Sequence, residues 1–128
     1  MSWDPGQYLK FAGERLRPAV DLLSRVPLAA PASVVDLGCG AGNLAPLIFA
    51  RWPSTKLTGV DASPEMLAKA RTEHPQAQFV QADIGRWRPA APVELIYSNA
   101  ALHWLADHDT VIAALFESLA PGGVLAVQ

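Results

Sequence analysis

The chain has 128 residues, of which 51% are apolar and 17% are charged, and this composition indicates one globular domain and excludes a disordered segment. The formal net charge of −2, without a basic run, gives no reason to expect nucleic acid, and no apolar stretch approaches the ~18 residues of a membrane span. The N-terminus lacks the order of a signal peptide and Cys39 is the single cysteine, so we expect a cytoplasmic protein without a disulfide.

The first predicted elements lie in the N-terminal half of the chain. Residues 5–26 have a helical pattern that is predicted to break at Pro18. The short apolar segment 33–37 is a predicted strand, and residues 42–51 form a predicted helix. A second strand is predicted over residues 56–60. Strand and helix therefore begin to alternate at residue 33.

The second half of the chain continues this alternation. Residues 64–73 are a predicted helix because Ser63 is a suitable N-cap and Pro64 occupies the first helical position. Residues 110–119 have apolar side chains at helical spacing, and the Pro-Gly-Gly sequence that follows predicts the end of that helix. The remaining short apolar segments are predicted strands, at 77–81, 93–98 and 123–127.

Strands that alternate with helices predict an α/β fold, a doubly wound and mainly parallel sheet of about five strands with helices on both faces. We expect a single domain over residues 1–128, in which residues 1–30 form a helical lid and residues 31–128 form the core. Because the chain ends on its fifth predicted strand without a following helix, we also expect it to be a truncation.

Three glycines follow the first predicted strand in the sequence VVDLGCGAGN, residues 34–43. Ligands bind parallel sheets at the carboxyl ends of strands, where Gly38 and Gly40 would clear the backbone for a close approach. A glycine-rich turn without a ligand is the alternative. Asp61 argues against a turn without a ligand. This residue ends the next strand, nineteen residues after Gly42, and its carboxylate can accept hydrogen bonds from both ribose hydroxyls. The sequence therefore predicts a nucleoside site.

The spacing of the glycines argues against a dinucleotide. The dinucleotide fingerprint G-x-G-x-x-G requires its last glycine one place later, where Asn43 stands. A pyrophosphate also favours a helix N-terminus without a competing negative charge. Asp36, just before the loop, suits a ligand that carries a positive charge instead.

The run VxDLGCGxG resembles the first motif of the class I, Rossmann-like S-adenosylmethionine-dependent methyltransferases, and the later motifs follow in order. The resemblance implies that family's Rossmann-like fold, here without its last two strands, and S-adenosylmethionine as the cofactor, with S-adenosylhomocysteine as its product. It implies ribose binding by Asp61, adenine binding by Asp83 and a methionine end near Asn99. The implied cofactor contacts are Asp36, Gly38, Gly40, Gly42, Asn43, Asp61, Ala62, Met66, Asp83, Ile84 and Asn99.

The acceptor is indicated by two further segments. The run WDPGQYLKFAGERLRPAVDLLSRVPL and the segment SNAALHWLADH resemble the trans-aconitate methyltransferase branch of the family, which esterifies a carboxylate of a small tricarboxylic acid. SNAALHW alone also resembles the malonyl-carrier-protein methyltransferases. A small carboxylic acid is the expected acceptor, with candidate contacts at Tyr8, Arg15, Arg17, His103 and Trp104. Each of the two arginines could instead be a solvated residue of an amphipathic helix, His103 could be a packed or exposed histidine, and Trp104 could be a lid or core aromatic near the cofactor.

Other functions are disfavoured or left as alternatives. A chain without the family's C-terminal segments could bind the cofactor yet transfer nothing, and this binding module is the second hypothesis. A metal site is not expected because His74, His103 and His108 are scattered in the sequence, and a hydrolase is not expected because no G-x-S-x-G elbow exists. We expect no nucleic acid, membrane or obligate protein partner.

Overall fold

The computed structural model describes residues 16–99, 102 and 105–128. These residues form four helices and five strands. In chain order they are α1 Arg17–Ser24, β1 Ser33–Leu37, α2 Ala45–Arg51, β2 Lys56–Asp61, α3 Pro64–Glu73, β3 Gln78–Gln81, β4 Val93–Ser98, α4 His108–Glu117 and β5 Leu119–Val127.

The five strands form one sheet in the order β3-β2-β1-β4-β5, and every neighbouring pair is parallel. From β1 the chain builds outward through β2 and β3 on one side, then returns to place β4 and β5 on the other. The order therefore reverses between β1 and β4, and ligands bind open parallel sheets in the crevice at such a reversal. The predicted α/β, Rossmann-like fold is confirmed.

Helices cover both faces of the sheet because successive strand residues point to opposite sides. On one face, Val34 and Leu95 pack against α1 and α2. On the opposite face, Val35 and Ile96 pack against α4. The ring of Phe79 in β3 packs against α3. No helix in the described ranges combines the length and the apolar character that a membrane crossing needs.

The helix α1 is joined to the core by side chains of later elements. Tyr97 in β4 donates its hydroxyl hydrogen to the Ala19 carbonyl at 3.1 Å. The guanidinium of Arg51, at the end of α2, donates to the Leu23 carbonyl and, at 2.6 Å, to the Val26 carbonyl. Residues 17–24 thus pack as part of the core. Of the helical lid predicted over residues 1–30, residues 1–15 lie outside the described residues.

Of the break predicted at Pro18, only the C-terminal side lies within the described residues, where α1 begins at Arg17 with Pro18 in its first turn, which needs no proline N–H. Two predicted helix boundaries were wrong. The helix predicted from residue 42 begins at Ala45, since the chain turns through Gly42 with a φ of 79°. The helix predicted over residues 110–119 is α4, which spans His108–Glu117.

The Pro-Gly-Gly sequence lies inside β5, although it was predicted to separate a helix from a strand at residue 123. β5 starts at Leu119, which pairs with Val93, and the next pair joins Leu95 to Val124. The extra residues between these pairs form an irregularity of the β-bulge kind. Glycine is needed there, since a Cβ at Gly123 would lie 3.1 Å from the Glu94 carbonyl oxygen.

Candidate cofactor site

The glycine loop follows β1 at the reversal of strand order. The backbone N–H groups of Gly38 and Cys39 both donate to the Val60 carbonyl, at 2.7 and 3.0 Å, so the loop is held against the end of β2. Gly40 has a φ of 56°, in the left-handed region that favours glycine. A Cβ at Gly40 would have no atom of the described residues within 4 Å, so its backbone faces open space. This is the exposed backbone that a close ligand approach requires.

Asp61 joins the glycine loop to the end of β2. Its Oδ2 accepts the Gly40 N–H at 2.8 Å, and its Oδ1 accepts the Ser63 N–H at 2.9 Å. A carboxylate has about four acceptor sites, so each oxygen can still accept one further hydrogen bond. Asp61 can therefore hold the loop and receive two hydroxyl groups of a ligand at the same time.

Asp36 is a buried carboxyl group beside this loop. Its residue is 4% exposed, and none of the residues that the structure describes donates a hydrogen bond to its carboxylate. Burial, and to a smaller degree the charge of Asp61, raise the pKa of Asp36 from 3.8 to about 7. The ionised form of such a buried carboxyl group is stabilised by a nearby cationic group, so this position suits a ligand with a positive charge.

The residues predicted to contact adenine lie around one open cavity. Ala62, Asp83 and Ile84, together with Gln81 and Ala82, line a space of about 490 Å³ beyond the ends of β2 and β3. One carboxylate oxygen of Asp83 accepts the Gly85 N–H at 2.8 Å, so this side chain also shapes the turn that follows β3. Of the residues predicted to contact adenine, Ala62, Asp83 and Ile84 therefore line the cavity, whereas Met66 is not part of its lining.

Three other predicted cofactor contacts lie at the margins of this edge. Met66 is on α3 with 48% of its surface exposed, so it does not belong to the core. Asn43 is exposed on the glycine loop, and Asn99 directly follows β4. The structure thus brings Asp36, Asp61 and the glycine loop together; Asn43 belongs to that loop, whereas Met66 and Asn99 lie on the segments that follow β2 and β4.

Ser98 is a residue of this edge that the sequence analysis missed. It is fully buried at the end of β4, and its hydroxyl donates to the Leu37 carbonyl at 2.9 Å. Its own carbonyl accepts the Gln128 N–H at 3.0 Å. Ser98 therefore joins the ends of β1, β4 and β5. A serine directly after the apolar run Leu95–Tyr97 was the available signal.

Of the acceptor candidates, only Arg17 lies within the described residues; Tyr8, Arg15, His103 and Trp104 lie outside them. Arg17 begins α1 and is exposed. It lines a cavity of about 320 Å³ with Pro18, Asp21, Leu22, Arg25, Val127 and Gln128. Since Val127 ends β5 and Gln128 follows it, this cavity opens near the carboxyl edge of the sheet.

Neither a nucleophile nor a metal centre is evident in the described part of the site. Burial, followed by the charges of Asp36 and Asp61, raises the pKa of Cys39 to about 12, so its thiol stays protonated at neutral pH. Within residues 16–99, 102 and 105–128, the His, Cys, Asp and Glu side chains form no group of three or more that could hold a metal ion.

Curated relatives resemble nearly the whole chain. Trans-aconitate 2-methyltransferase of Azoarcus sp. (strain BH72) is 56% identical over 127 residues, which is 99% of this chain and 50% of the relative. The protein of the same name from Methylobacterium nodulans is 56% identical over 126 residues, 98% of this chain and 49% of the relative. The chain therefore spans about half the length of these relatives.

Solved structures share the fold. An S-adenosylmethionine-dependent methyltransferase from Mesorhizobium loti has a TM-score of 0.78 and 29% identity over 91% of this chain and 53% of its own. An amino pentose methyltransferase from Micromonospora echinaspora, solved with S-adenosylmethionine bound, has a TM-score of 0.70 and 28% identity over 89% of this chain and 48% of its own.

A family model described as a methyltransferase domain matches residues 34–123, from the strand before the glycine loop to the bulge in β5. The match includes the glycine loop, Asp61 and Asp83, which carried the predicted resemblance. The predicted family and its cofactor class are confirmed. The chain belongs to the methyltransferase-domain family of S-adenosylmethionine-dependent methyltransferases.

Proposed function

We propose that the chain binds S-adenosylmethionine at the glycine loop and that the protein transfers the methyl group to a carboxylate of a small polycarboxylic acid resembling trans-aconitate. One observation carries the cofactor half of this proposal: the buried Asp36, to which no described residue donates a hydrogen bond, lies beside a glycine loop in which a Cβ at Gly40 would meet no described atom within 4 Å. The acceptor half is supported by the relatives of 56% identity, which bear the name trans-aconitate 2-methyltransferase.

The cofactor would be held by groups at the ends of three strands. Asp61 has free acceptor sites for the two ribose hydroxyls, and the cavity beside Asp83 and Ile84 has room for the adenine. Asp36 would balance the positive charge of the methionine end, which lowers the cost of keeping that carboxylate ionised. The remaining proposed contacts, Asn43, Met66 and Asn99, would border the same ligand.

A carboxylate acceptor explains why no general base is required. S-adenosylmethionine, when bound, supplies a methyl group on a cationic sulfur. An acceptor carboxylate is already ionised at pH 7, so the protein has no proton to remove. The work of the chain is then to hold the acceptor oxygen in line with the methyl carbon and to exclude water.

Arg17 is the described residue that we propose for the acceptor side. It begins α1, and the hydrogen bond from Tyr97 to Ala19 holds this end of the helix on the sheet. The cavity it lines includes the end of β5, so the guanidinium lies near the same edge as the glycine loop. A guanidinium matches a carboxylate with two parallel hydrogen bonds. Tyr8, Arg15, His103 and Trp104 stay as proposed contacts from the sequence.

The test is methyl transfer from labelled S-adenosylmethionine to trans-aconitate and to a panel of other small di- and tricarboxylates, with malonyl-carrier protein as a further acceptor. We expect a base-labile methyl ester on a small acid. An ester on malonyl-carrier protein alone would favour the second branch of the family. Binding of S-adenosylhomocysteine without any ester product would show a binding module instead and would overturn the proposed transfer.

A further inference from the structure

Four residues form a row across one face of the sheet at the level where the glycine loop leaves β1. In the strand register, Phe79 is paired with Gly59, Gly59 with Asp36, and Asp36 with Tyr97. In-register side chains of parallel strands point to the same face. The row therefore consists of an aromatic ring, a position without a side chain, the buried carboxyl group and a tyrosine.

The gap at Gly59 is filled by its neighbours. A Cβ at this position would lie 2.7 Å from Cδ1 of Phe79 and 2.8 Å from Sγ of Cys39, which is closer than side chains approach. The φ of Gly59 is not in the left-handed region, so space alone requires glycine here. The side chain of Cys39, a residue of the glycine loop, therefore occupies the slot left open by Gly59, and the Phe79 ring forms one side of that slot.

The same ring also supports the far side of the loop. A Cβ at Gly42 would lie 3.2 Å from Cζ of Phe79 and 2.9 Å from Cδ2 of His74. Phe79 is 9% exposed and packs with Leu67 and Ala70 of α3, so it has little freedom to move. The buried Phe79 ring therefore lies against the glycine loop both at Cys39 and at Gly42.

We infer that Phe79 is a positioning residue for the cofactor site: its ring determines how closely the glycine loop approaches the sheet, and Gly59 provides the slot that seats the loop through Cys39. Phe79 would act without touching the cofactor. The inference rests on the proposed binding of the cofactor at this loop. Loop position decides affinity because a binding site displaced by a fraction of an ångström loses much of its complementarity.

The experiment measures the Kd of S-adenosylhomocysteine by calorimetry for Phe79→Leu, Gly59→Ala and the double variant. Each single change should weaken binding by about tenfold or more, as a shifted loop implies. The double variant should bind more tightly than the product of the two losses predicts, because the added methyl group enters space that the smaller side chain vacates. Leu115→Ala, a fully buried change on α4, is the stability control and should lower Tm while leaving Kd within about twofold.

Unchanged Kd in both single variants, with only Tm lowered, would overturn the inference and leave Phe79 as an ordinary core residue. The inference would also be overturned if the Kd of the double variant increased by the full product of the two single-variant fold-changes. If Gly59→Ala does not fold, the comparison of Phe79→Leu with Leu115→Ala decides the question alone. If the unmodified chain does not bind S-adenosylhomocysteine, both the proposed function and this inference are overturned. If the unmodified chain binds it and the variants bind equally well, only this inference is overturned.

Discussion

Asp61 is the side chain on which the proposed site depends most directly, because it holds both the glycine loop and the expected ribose. We predict that Asp61→Ala weakens S-adenosylhomocysteine binding by roughly 2–4 kcal/mol, since hydrogen bonds to a charged group contribute ~1.5–3 kcal/mol each and are rarely additive. Calorimetry measures this loss. Asp109→Ala, which removes a carboxylate with a 97% exposed side chain on α4, is the control for net charge. Equal affinities in the two variants would contradict the assignment.

Asp36 should make both stability and cofactor binding depend on pH. Its folded pKa of about 7 lies above the unfolded value of 3.8, so between these values the folded chain binds more protons than the unfolded chain. The contribution of this group to the free energy of unfolding therefore falls as pH rises from about 4 to 7 and is constant above about 7.

A cationic ligand favours the ionised form of Asp36, so the Kd of S-adenosylmethionine should decrease as pH rises from 5 towards 7 and then level off. Among the described titratable groups, Asp61 raises the pKa of Asp36 through its charge, and Asp36 in turn raises those of Cys39 and Tyr97; the Cys39 thiol remains protonated throughout that range. Calorimetry at several pH values measures the slope. Asp36→Asn is the matched variant, and persistence of the slope in it would assign the effect to another group.

Arg17 tests the acceptor half of the proposal. We predict that Arg17→Ala lowers kcat/KM for trans-aconitate about ten- to a hundredfold, because one charged hydrogen bond to a carboxylate contributes ~1.5–3 kcal/mol. The Kd of S-adenosylhomocysteine should not change. Lys56→Ala removes one positive charge from an exposed position at the start of β2, at the opposite edge of the sheet, and is the matched control. A change within ~0.5 kcal/mol in Arg17→Ala would identify a surface arginine instead.

At the scale of elements, the position of α1 depends on Arg51. Its guanidinium donates to two carbonyls at the end of α1 and lies 4.5 Å from the ring centroid of Trp52. We predict that Arg51→Ala lowers the free energy of unfolding by roughly 1.5–3 kcal/mol, as expected for lost charged hydrogen bonds. Urea unfolding measures this. Arg51→Lys should recover only part of it, because an ammonium lacks the fork that reaches both carbonyls; full recovery would show that charge alone matters.

At the scale of the whole molecule, the site is assembled from the ends of β1, β2 and β3, so a ligand there should stabilise the entire sheet. We predict that S-adenosylhomocysteine at about 100 times its Kd adds about 2.7 kcal/mol to the free energy of unfolding. A thermal scan should show a Tm increase of several degrees. NAD at the same concentration should give none, and an increase with NAD alone would contradict the cofactor assignment.

The agreement between sequence and structure was closest where local patterns determine the backbone. α3 spans the predicted residues 64–73, because Ser63 accepts the Met66 N–H and Pro64 starts the first turn. The bounds of β1 and β4 also match, as expected for apolar segments between turn residues. The cofactor-binding edge followed from one rule, that ligands bind where parallel strands end and their order reverses.

The sequence by itself determined the family, the parallel sheet and the acidic residues that flank the glycine loop, because each of these depends on residue type and short-range spacing. Only the tertiary structure decided the bulge at Pro121-Gly122-Gly123, the attachment of α1 through Arg51 and Tyr97, and the packing of Phe79 against Gly59. These features join residues distant in the chain, and strand register, which brings them together, is set by packing across the whole sheet.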